Sequence, residues 1–414
     1  MRAAAPSALP ILLALLVATP LGAEPAPTRI ASVRVEGLRG TREEVVLQWV
    51  KVRPGDPIQR FDEVRLRADL LRLGIFSDVH VERRAAPKGV DLVIEPRERW
   101  SLYPVPMLVY YRDTYLLGGL LVESNALGRN KGWALGGVYS NRGWQLLGAV
   151  VDPNVAYTSW FAKLSVFGGA GLLENVDATG RIVQSFALSR IDAQYSVGRT
   201  FLDVFTPAWT GAVRAVRVER AIEGAVLPDE TALSQGLALI YSDLDPRGHF
   251  DAGVRTAVEY QHGFPIADGS SAFDNLFSET RIGIPTLSDQ ALQFGIFWAY
   301  ARFPPALETR LGGLDGSRTL PALLVPADKH ASATASYQVP VLRGRWGVGS
   351  LSPFVETGVY RRDGDPANAY WGPGLGFQVF LRQVAMPAFG GDVAYQMGTG
   401  RFQFSVAIGY RPTR

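Results

Sequence analysis

The chain has 414 residues, with 44 glycines, 9 Trp, 15 Tyr, 20 Phe and no cysteine, and its formal net charge is +3. This length predicts two unequal domains, and the absence of cysteine excludes disulfides and thiolate chemistry. The nearly balanced charge argues against a nucleic-acid partner.

Residues 1–23 predict a secretory signal peptide. They contain Arg2, an apolar run from residue 9 to residue 17, and small residues before Glu24, so we expect cleavage after Ala23. After this segment, no run of eighteen apolar residues is free of charges or strand-like interruptions. A membrane-embedded mature protein would therefore cross the bilayer with strands.

The density of charged residues along the remaining chain falls near residue 100. Residues 24–99 hold 15 basic and 13 acidic side chains, whereas residues 100–414 hold only 52 charges in 315 residues. We therefore expect one domain over residues 24–98 and a second over residues 99–414. The first domain reads as strand 30–36, helices 41–50 and 61–73, and strands 76–84 and 90–95. Its predicted order is β-α-α-β-β, and residues 41–44 predict a capping box with Thr41 as N-cap and Glu44 reaching back.

Four motifs of this first domain recur together in a known family. They are Gly37, residues 53–58 (Arg-Pro-Gly-Asp-Pro-Ile), residues 73–79 (Leu-Gly-Ile-Phe-Ser-Asp-Val) and residues 90–96 (Val-Asp-Leu-Val-Ile-Glu-Pro). The segment from residue 29 to residue 97 resembles a POTRA domain. This resemblance implies a periplasmic domain that receives unfolded chains by adding a strand to its sheet edge.

From residue 100 onward the useful pattern is alternation of apolar and polar residues, as expected for strands in a barrel wall. The last strand shows it best, since one face carries Phe402, Phe404, Val406, Ile408 and Tyr410. We count about eleven strands before residue 303 and five after residue 330. The sequence therefore predicts an all-β transmembrane antiparallel barrel of about 16 strands, with fourteen or twelve as alternatives.

One long segment, residues 303–329, interrupts the strand pattern. It contains Gly312, Gly313 and Arg318, and this Gly-Gly then Arg pattern resembles the loop of the family that includes BamA, TamA and the two-partner secretion transporters. The resemblance implies a loop that folds back into the barrel lumen. Thr319 and Leu320 depart from the family's Gly-aromatic pair after the arginine.

Two later strands also resemble motif strands of that family. The first carries Phe354, Glu356 and Gly358, with Glu356 where the family usually has Asp; the second carries Gly372, Gly374 and Gly376. A guanidinium inside a barrel needs an anionic partner. Because Glu356 shares a strand face with Phe354 and Gly358, we expect it to face the lumen and to pair with Arg318.

The C-terminal strand, with Phe402, Phe404, Ile408 and Tyr410, is similar to the aromatic-ending signal that hands barrel proteins to the assembly machinery. Here four residues follow Tyr410, which departs from the usual terminal aromatic residue. We expect the weakest part of the wall to be the seam where this strand meets the first barrel strand, near residues 100–111, beside Gly398 and Gly400.

No motif for catalysis is visible. The four histidines are scattered, nucleophile-elbow and phosphate-loop motifs are absent, and Asp243 and Asp245 favour a turn over a metal site. We therefore predict neither an enzyme nor a metal or cofactor site.

The resemblance implies an outer-membrane factor that receives unfolded client proteins at its POTRA domain in the periplasm. It would insert these chains into the outer membrane or pass them across it. The expected partners are outer-membrane lipids including lipopolysaccharide, unfolded clients, and periplasmic chaperones or other assembly subunits. Two alternatives keep the same fold: a dedicated exporter of the two-partner type, and a passive channel or structural barrel.

Overall fold

The computed structural model describes residues 28–111, 114–176, 182–223, 227–247, 249–267, 270–287, 289–307, 310–311, 317–320, 325–383 and 387–408. The predicted signal peptide, Gly312, Gly313 and Tyr410 lie outside these ranges. Within them the chain forms a small α/β domain followed by a closed β-barrel.

The N-terminal domain contains β1 (Ile30–Val35), α1 (Glu43–Leu47), α2 (Glu63–Arg72), β2 (Phe76–Ala86) and β3 (Gly89–Glu98). Its sheet has the order β1-β3-β2, with β1 parallel and β2 antiparallel to β3. Leu70 of α2 packs with Phe76, Leu92 and Ile94 of the sheet in a fully buried core. The predicted β-α-α-β-β order is confirmed. Among the described residues, no helix is long and apolar enough to span a membrane.

The start of α1 differs from the predicted capping box. Its N-cap residue is Arg42, whose side chain makes no capping hydrogen bond. Thr41, the expected cap, is buried and instead accepts a hydrogen bond from Asn125 of the barrel at 2.8 Å. A contact between domains therefore uses the hydroxyl that local sequence would assign to the helix.

The barrel is built from long strands joined in sequence order, with a two-strand hairpin in the connection before β18. The strands are β4 (Leu102–Tyr111), β5 (Thr114–Ala126), β6 (Lys131–Ser140), β7 (Gly143–Asp152), β8 (Trp160–Val176), β9 (Ile182–Arg199), β10 (Phe205–Glu223), β11 (Glu230–Ser242), β12 (Asp245–Arg247), β13 (Phe250–Pro265), β14 (Phe273–Leu287), β15 (Gln290–Ala301), β16 (Arg310–Leu311), β17 (Val325–Pro326), β18 (Lys329–Arg343), β19 (Gly347–Arg361), β20 (Asn368–Leu381), β21 (Pro387–Gln396) and β22 (Arg401–Ile408).

Apart from the three-residue β12 and the β16–β17 hairpin, sixteen strands in the described residues form the ring, and β22 closes it on β4. Eleven of them precede residue 303 and five follow residue 328. The predicted count of about 16 is confirmed. A closed ring removes every sheet edge, so its backbone groups are satisfied without water.

The two faces of the wall follow the alternation expected from sequence. Leu117, Leu146 and Phe402 point outward and are 59%, 58% and 73% exposed, as a lipid-facing surface requires. Phe354 and Gln403 point inward and are buried.

The N-terminal domain is docked on one end of the barrel, here called the near end. The backbone N–H of Arg42 donates to the carbonyl of Gly128 at 2.8 Å, in the turn between β5 and β6. Lys51 and Arg65 both bind Asp203, in the turn between β9 and β10, at 3.0 and 2.6 Å. These contacts hold the domain against two separate near-end turns.

Glu98, the last residue of β3, binds the backbone of the segment before Arg42, which contacts the turn between β5 and β6. Its carboxylate accepts hydrogen bonds from the backbone N–H groups of Arg39, Gly40 and Thr41 at 2.7 to 3.2 Å. Burial raises the pKa of this carboxyl, but the hydrogen bonds from Thr41, Gly40 and Arg39 outweigh burial, and the net effect lowers the pKa.

Candidate functional site

The connection between β15 and β18 begins at the far end of the barrel, opposite the N-terminal domain, and returns into the lumen. Near its start, Ala306 and Leu307 pack against Phe186 and Leu188 of β9. Further along, its buried side chains pack with the inward-facing Tyr370 of β20; they are Leu311, Leu320, Val325 and Ala327. Because β9 and β20 lie on opposite sides of the ring, the described parts of this connection, residues 302–307, 310–311, 317–320 and 325–328, contact both sides of the lumen. We call it the lumenal loop.

The tip of the lumenal loop is held by one carboxylate oxygen. Oε2 of Glu356, on β19, accepts hydrogen bonds from the backbone N–H groups of Arg318 and Thr319, both at 2.9 Å. It also accepts from the hydroxyls of Thr319 at 2.8 Å and Ser317 at 3.1 Å. Glu356, Ser317 and Thr319 are at most 1% exposed. We call this arrangement the Glu356 clasp.

The clasp follows from chain geometry. Glu356 points inward because it shares a strand face with the buried Phe354. A carboxylate inside the wall requires hydrogen-bond donors, and consecutive backbone N–H groups at a turn supply them without a counter-charge. The loop tip and the carboxylate therefore satisfy each other.

Arg318 does not make the expected ion pair with Glu356. Its backbone N–H belongs to the clasp, but its guanidinium lies over the ring of Phe354, 4.7 Å from the centroid. Nη1 is 3.6 Å from Oδ1 of Asp392, on β21. The physical reason is that the donors of residues 317–319 occupy the clasp oxygen, so the longer guanidinium extends over the Phe354 ring and across β20 to Asp392.

Two of the predicted motif glycines make room for this arrangement. A Cβ atom on Gly374 would overlap the ring of Phe354, and a Cβ on Gly376 would lie 2.7 Å from Oδ1 of Asp392. Glycine at these positions thus allows both groups that contact Arg318 to lie close to β20.

The other two motif glycines border Tyr370 and the loop tip. A Cβ on Gly358 would lie 2.5 Å from Oη of Tyr370, and one on Gly372 would lie 3.3 Å from Cγ2 of Thr319. The phenol of Tyr370 is buried and lies 2.8 Å from Nε2 of the buried His330, on β18. The glycine motif therefore positions an aromatic ring that supports the loop.

The remaining predicted residues are distributed as follows. Phe402 and Phe404 lie on the outer face of β22 and are 73% and 46% exposed, and β22 ends at Ile408. Gly312, Gly313 and Tyr410 fall outside the described part of the chain.

Sequence reasoning missed Asp392, Ser317 and Thr319. A usable signal for Asp392 existed, because it is the sole charged residue of β21 and pairs directly with the motif residue Gly376. No pattern marked Ser317 and Thr319 as ligands of Glu356. In the ranges that the structure describes, no group of three or more His, Asp or Glu side chains could hold a metal ion.

Comparisons with known proteins agree with this geometry. Residues 28–99 match the sequence model of the POTRA family, described as surface antigen variable number repeat. No curated protein matches the chain by sequence.

Solved structures share the fold at low sequence identity. BamA from Haemophilus ducreyi lacking POTRA domains 1–3 superposes with a TM-score of 0.57 and 13% identity, covering 92% of this chain and 84% of that one. CdiB from Escherichia coli gives 0.63 and 12%, covering 93% and 77%. CdiB from Acinetobacter baumannii gives 0.60 and 12%, covering 93% and 74%. These likenesses show that the chain shares the fold of these barrels, and the family model confirms the POTRA domain that the sequence motifs indicated.

Proposed function

We propose that this protein receives unfolded polypeptides at its POTRA domain in the periplasm and inserts them into the outer membrane or passes them across it. The observation that carries the proposal is an open edge strand in a domain docked on the near end of a closed barrel. Outer-membrane lipids, including lipopolysaccharide, and periplasmic chaperones or other assembly subunits remain predicted partners.

The open edge is β2. At the other edge of the sheet, the start of β1 is covered, because Ile30 donates to the carbonyl of Asp56 and Gly55 donates to the carbonyl of Ile30. In the described residues, β2 pairs with β3 alone over its eleven residues. An extended client segment can therefore add a strand at β2 through main-chain hydrogen bonds, without a required client sequence.

The charged side chains of β2 favour transient binding of a client strand over permanent pairing. Glu82 and Arg84 are exposed and pair with each other at 2.8 Å. Charged side chains on an edge strand suppress permanent pairing with a second copy of the chain. The edge is thus available to a client while it resists aggregation.

From the POTRA domain, the client would reach the barrel at the β4–β22 seam, whose first strand follows β3 directly. The clasp at Glu356 holds the lumenal loop in place during this transfer. No nucleotide is needed, since a completed client barrel satisfies all its backbone hydrogen bonds in lipid.

The first experiment measures the folding rate of an unfolded outer-membrane barrel client added to liposomes, with and without the reconstituted protein. We expect acceleration by the native chain and a reduced rate with Arg318→Ala. Arg217→Ala, which changes a 79% exposed arginine of β10, is the matched control and should leave the rate unchanged.

A photo-crosslinking residue at Glu82 on β2 should capture the client, whereas one at Asp91 on the central strand β3, which pairs with both neighbouring strands, should not. No acceleration by a folded native protein would refute general insertase activity. Transport of a single secreted partner would then favour the exporter alternative, and ion currents without any effect on clients would favour the passive channel.

A further inference from the structure

The first strand of the barrel, β4, carries two prolines, Pro104 and Pro106, in the half that lies at the near end. Proline has no backbone N–H group, so each one removes a hydrogen-bond donor from the strand. Every other strand of the ring, within its described bounds, holds at most one proline. Prolines inside sheets are typical of edge strands, where the missing N–H group points away from a partner. The direction of the two missing donors therefore determines which contact of the wall they weaken.

Both missing donors point to β22. The N–H group of Ser124 on β5 donates to the carbonyl of Ser101, immediately before β4, at 2.8 Å. Backbone groups of successive residues in a strand point to opposite sides, so the odd-numbered residues of β4 bond to β5. This alternation continues along the strand, because residues 102–111 pair with β5 without a register shift. Pro104 and Pro106 are even-numbered, so their positions face β22 across the seam and leave the pairing of β4 with β5 intact.

The facing strand, β22, keeps all its donors. The carbonyl of Tyr395 on β21 points to β20, since a Cβ atom on Gly372 of β20 would overlap it. The next residue, Gln396, therefore bonds to the opposite neighbour, β22, where it pairs with Arg401. The same alternation directs the backbone of every second residue of β22 to β4, namely Phe402, Phe404, Val406 and Ile408. None of these residues is a proline, so each offers both an N–H group and a carbonyl group.

The two edges of the seam are therefore unequal. The prolines deprive β22 of two donors from β4, and inside a bilayer no water replaces them. On the near side of the prolines, the N–H group of Trp100 donates to the carbonyl of Gln383, in the turn between β20 and β21, at 3.1 Å. When β22 and β4 separate, β22 presents a complete set of backbone groups to another strand, whereas β4 presents an incomplete set.

We propose that an unfolded client adds its strand to β22 at the near-end half of the seam, and that Pro104 and Pro106 make β22, not β4, the receiving edge. This inference rests on the proposed function, because it specifies where the client enters the wall. A client strand on β22 supplies a donor for each carbonyl group that the prolines leave without one. The same prolines limit permanent pairing of the opened β4 edge with a second chain.

The first test restores the two donors in the full chain reconstituted in liposomes. In Pro104→Val/Pro106→Val, two further hydrogen bonds must break before the seam opens, so client folding should slow about tenfold. The temperature at which the folded band disappears on gels should rise in the same variant. Pro207→Val/Pro285→Val is the matched control, because it restores donors at the near ends of β10 and β14, away from the seam. It should leave the rate of client folding unchanged.

Disulfide trapping identifies the receiving strand. The chain has no cysteine, so Phe404→Cys on β22 and Leu102→Cys on β4 each introduce a single thiol. The client carries one cysteine, placed in each of its strands in turn. Phe404→Cys should trap the client, since paired strands bring Cβ atoms to within about 4.5–5.5 Å. Leu102→Cys should trap it at least about tenfold less, because a strand on β4 would lack two hydrogen bonds.

Equal trapping at the two positions, or an unchanged rate of client folding in Pro104→Val/Pro106→Val, would overturn the proposal. Preferential trapping by Leu102→Cys would make β4 the receiving edge. Photo-crosslinking at Glu82 of β2 separates this failure from failure of the proposed function. Capture of the client at Glu82 without trapping by Phe404→Cys would refute the assignment of β22 alone, whereas neither capture nor acceleration of client folding would refute both.

Discussion

The two sides of the barrel lumen differ in the chemistry of their inward-facing side chains. On the side of β18–β21, buried polar groups satisfy one another: Glu356 accepts four hydrogen bonds from the loop tip, and Arg318 is paired with Asp392. On the side of β5–β7, Leu116 lines the cavity, and strand pairing places Val138 and Leu147 on the same inner face. The first side is held by specific polar contacts, whereas the apolar groups of the second side need no hydrogen-bond partner.

The largest effect is expected from Glu356→Ala, which removes the acceptor of the clasp. Each buried donor left without a partner costs on the order of 1–3 kcal/mol, so we expect a total loss of several kcal/mol and release of the loop tip. Urea unfolding in neutral detergent and limited proteolysis of the lumenal loop measure the two effects.

Glu259→Ala is the matched control for the clasp. Glu259 lines the same lumen but, among the residues that the structure describes, accepts a single side-chain hydrogen bond, from Gln261 at 2.6 Å. If both variants lost equal stability, the clasp would have no special role in holding the loop.

Gly374→Ala should have the next largest effect. Its Cβ would overlap the ring of the buried Phe354, and overpacking of this kind costs about 1–3 kcal/mol. Gly295→Ala is the control, because a Cβ there would meet nothing within 4 Å. The comparison of the two unfolding midpoints measures the effect, and equal midpoints would show that the ring moves without cost.

Arg318→Ala should lower stability less than Glu356→Ala, because the backbone N–H of residue 318 remains in the clasp. Loss of the contacts with Phe354 and Asp392 costs about 1–2 kcal/mol. Arg318→Lys should recover part of the loss, since an ammonium keeps the charge but not the planar stacking. A cost in Arg318→Ala as large as that of Glu356→Ala would show that the guanidinium, not the backbone, holds the tip.

The smallest effect is expected from Asp203→Asn, at the contact between the two domains. Hydrogen bonding from Lys51, with a further contribution from Arg65, lowers the pKa of Asp203. The stabilisation is therefore present above the ordinary carboxyl pKa of about 3.9 and is lost as pH falls through the lower folded-state value. Because Asp203 is 46% exposed, we expect less than about 1 kcal/mol.

Spin-label distances between the POTRA domain and the barrel, measured at pH 7 and near pH 3, test the domain contact. They should lengthen at low pH in the native chain and at both pH values in Asp203→Asn. Asp78→Asn is the control, since Asp78 pairs with Arg67 inside the domain at 2.6 Å. Identical distances in all variants would show that the backbone contact at Gly128 docks the domain alone.

The predictions made from the sequence were correct for features that depend on local residue patterns. Alternation in the strands identified a barrel of about 16 strands, and the motif segments identified the POTRA domain. They failed at Thr41, whose hydroxyl contacts Asn125 of the barrel instead of capping α1. Helix capping is predicted from neighbouring residues, whereas the contact that Thr41 makes is with a residue 84 positions away.

The sequence by itself determined the two domains, the inward face of Glu356 and the glycines around Phe354, because strand parity and residue size follow from the order of residues. Only the tertiary structure decided which groups meet. It placed the backbone of residues 318 and 319 on Glu356 and the guanidinium of Arg318 on Asp392. Pairing across a lumen depends on loop path and strand stagger, and neither of these is encoded in the period of a single strand.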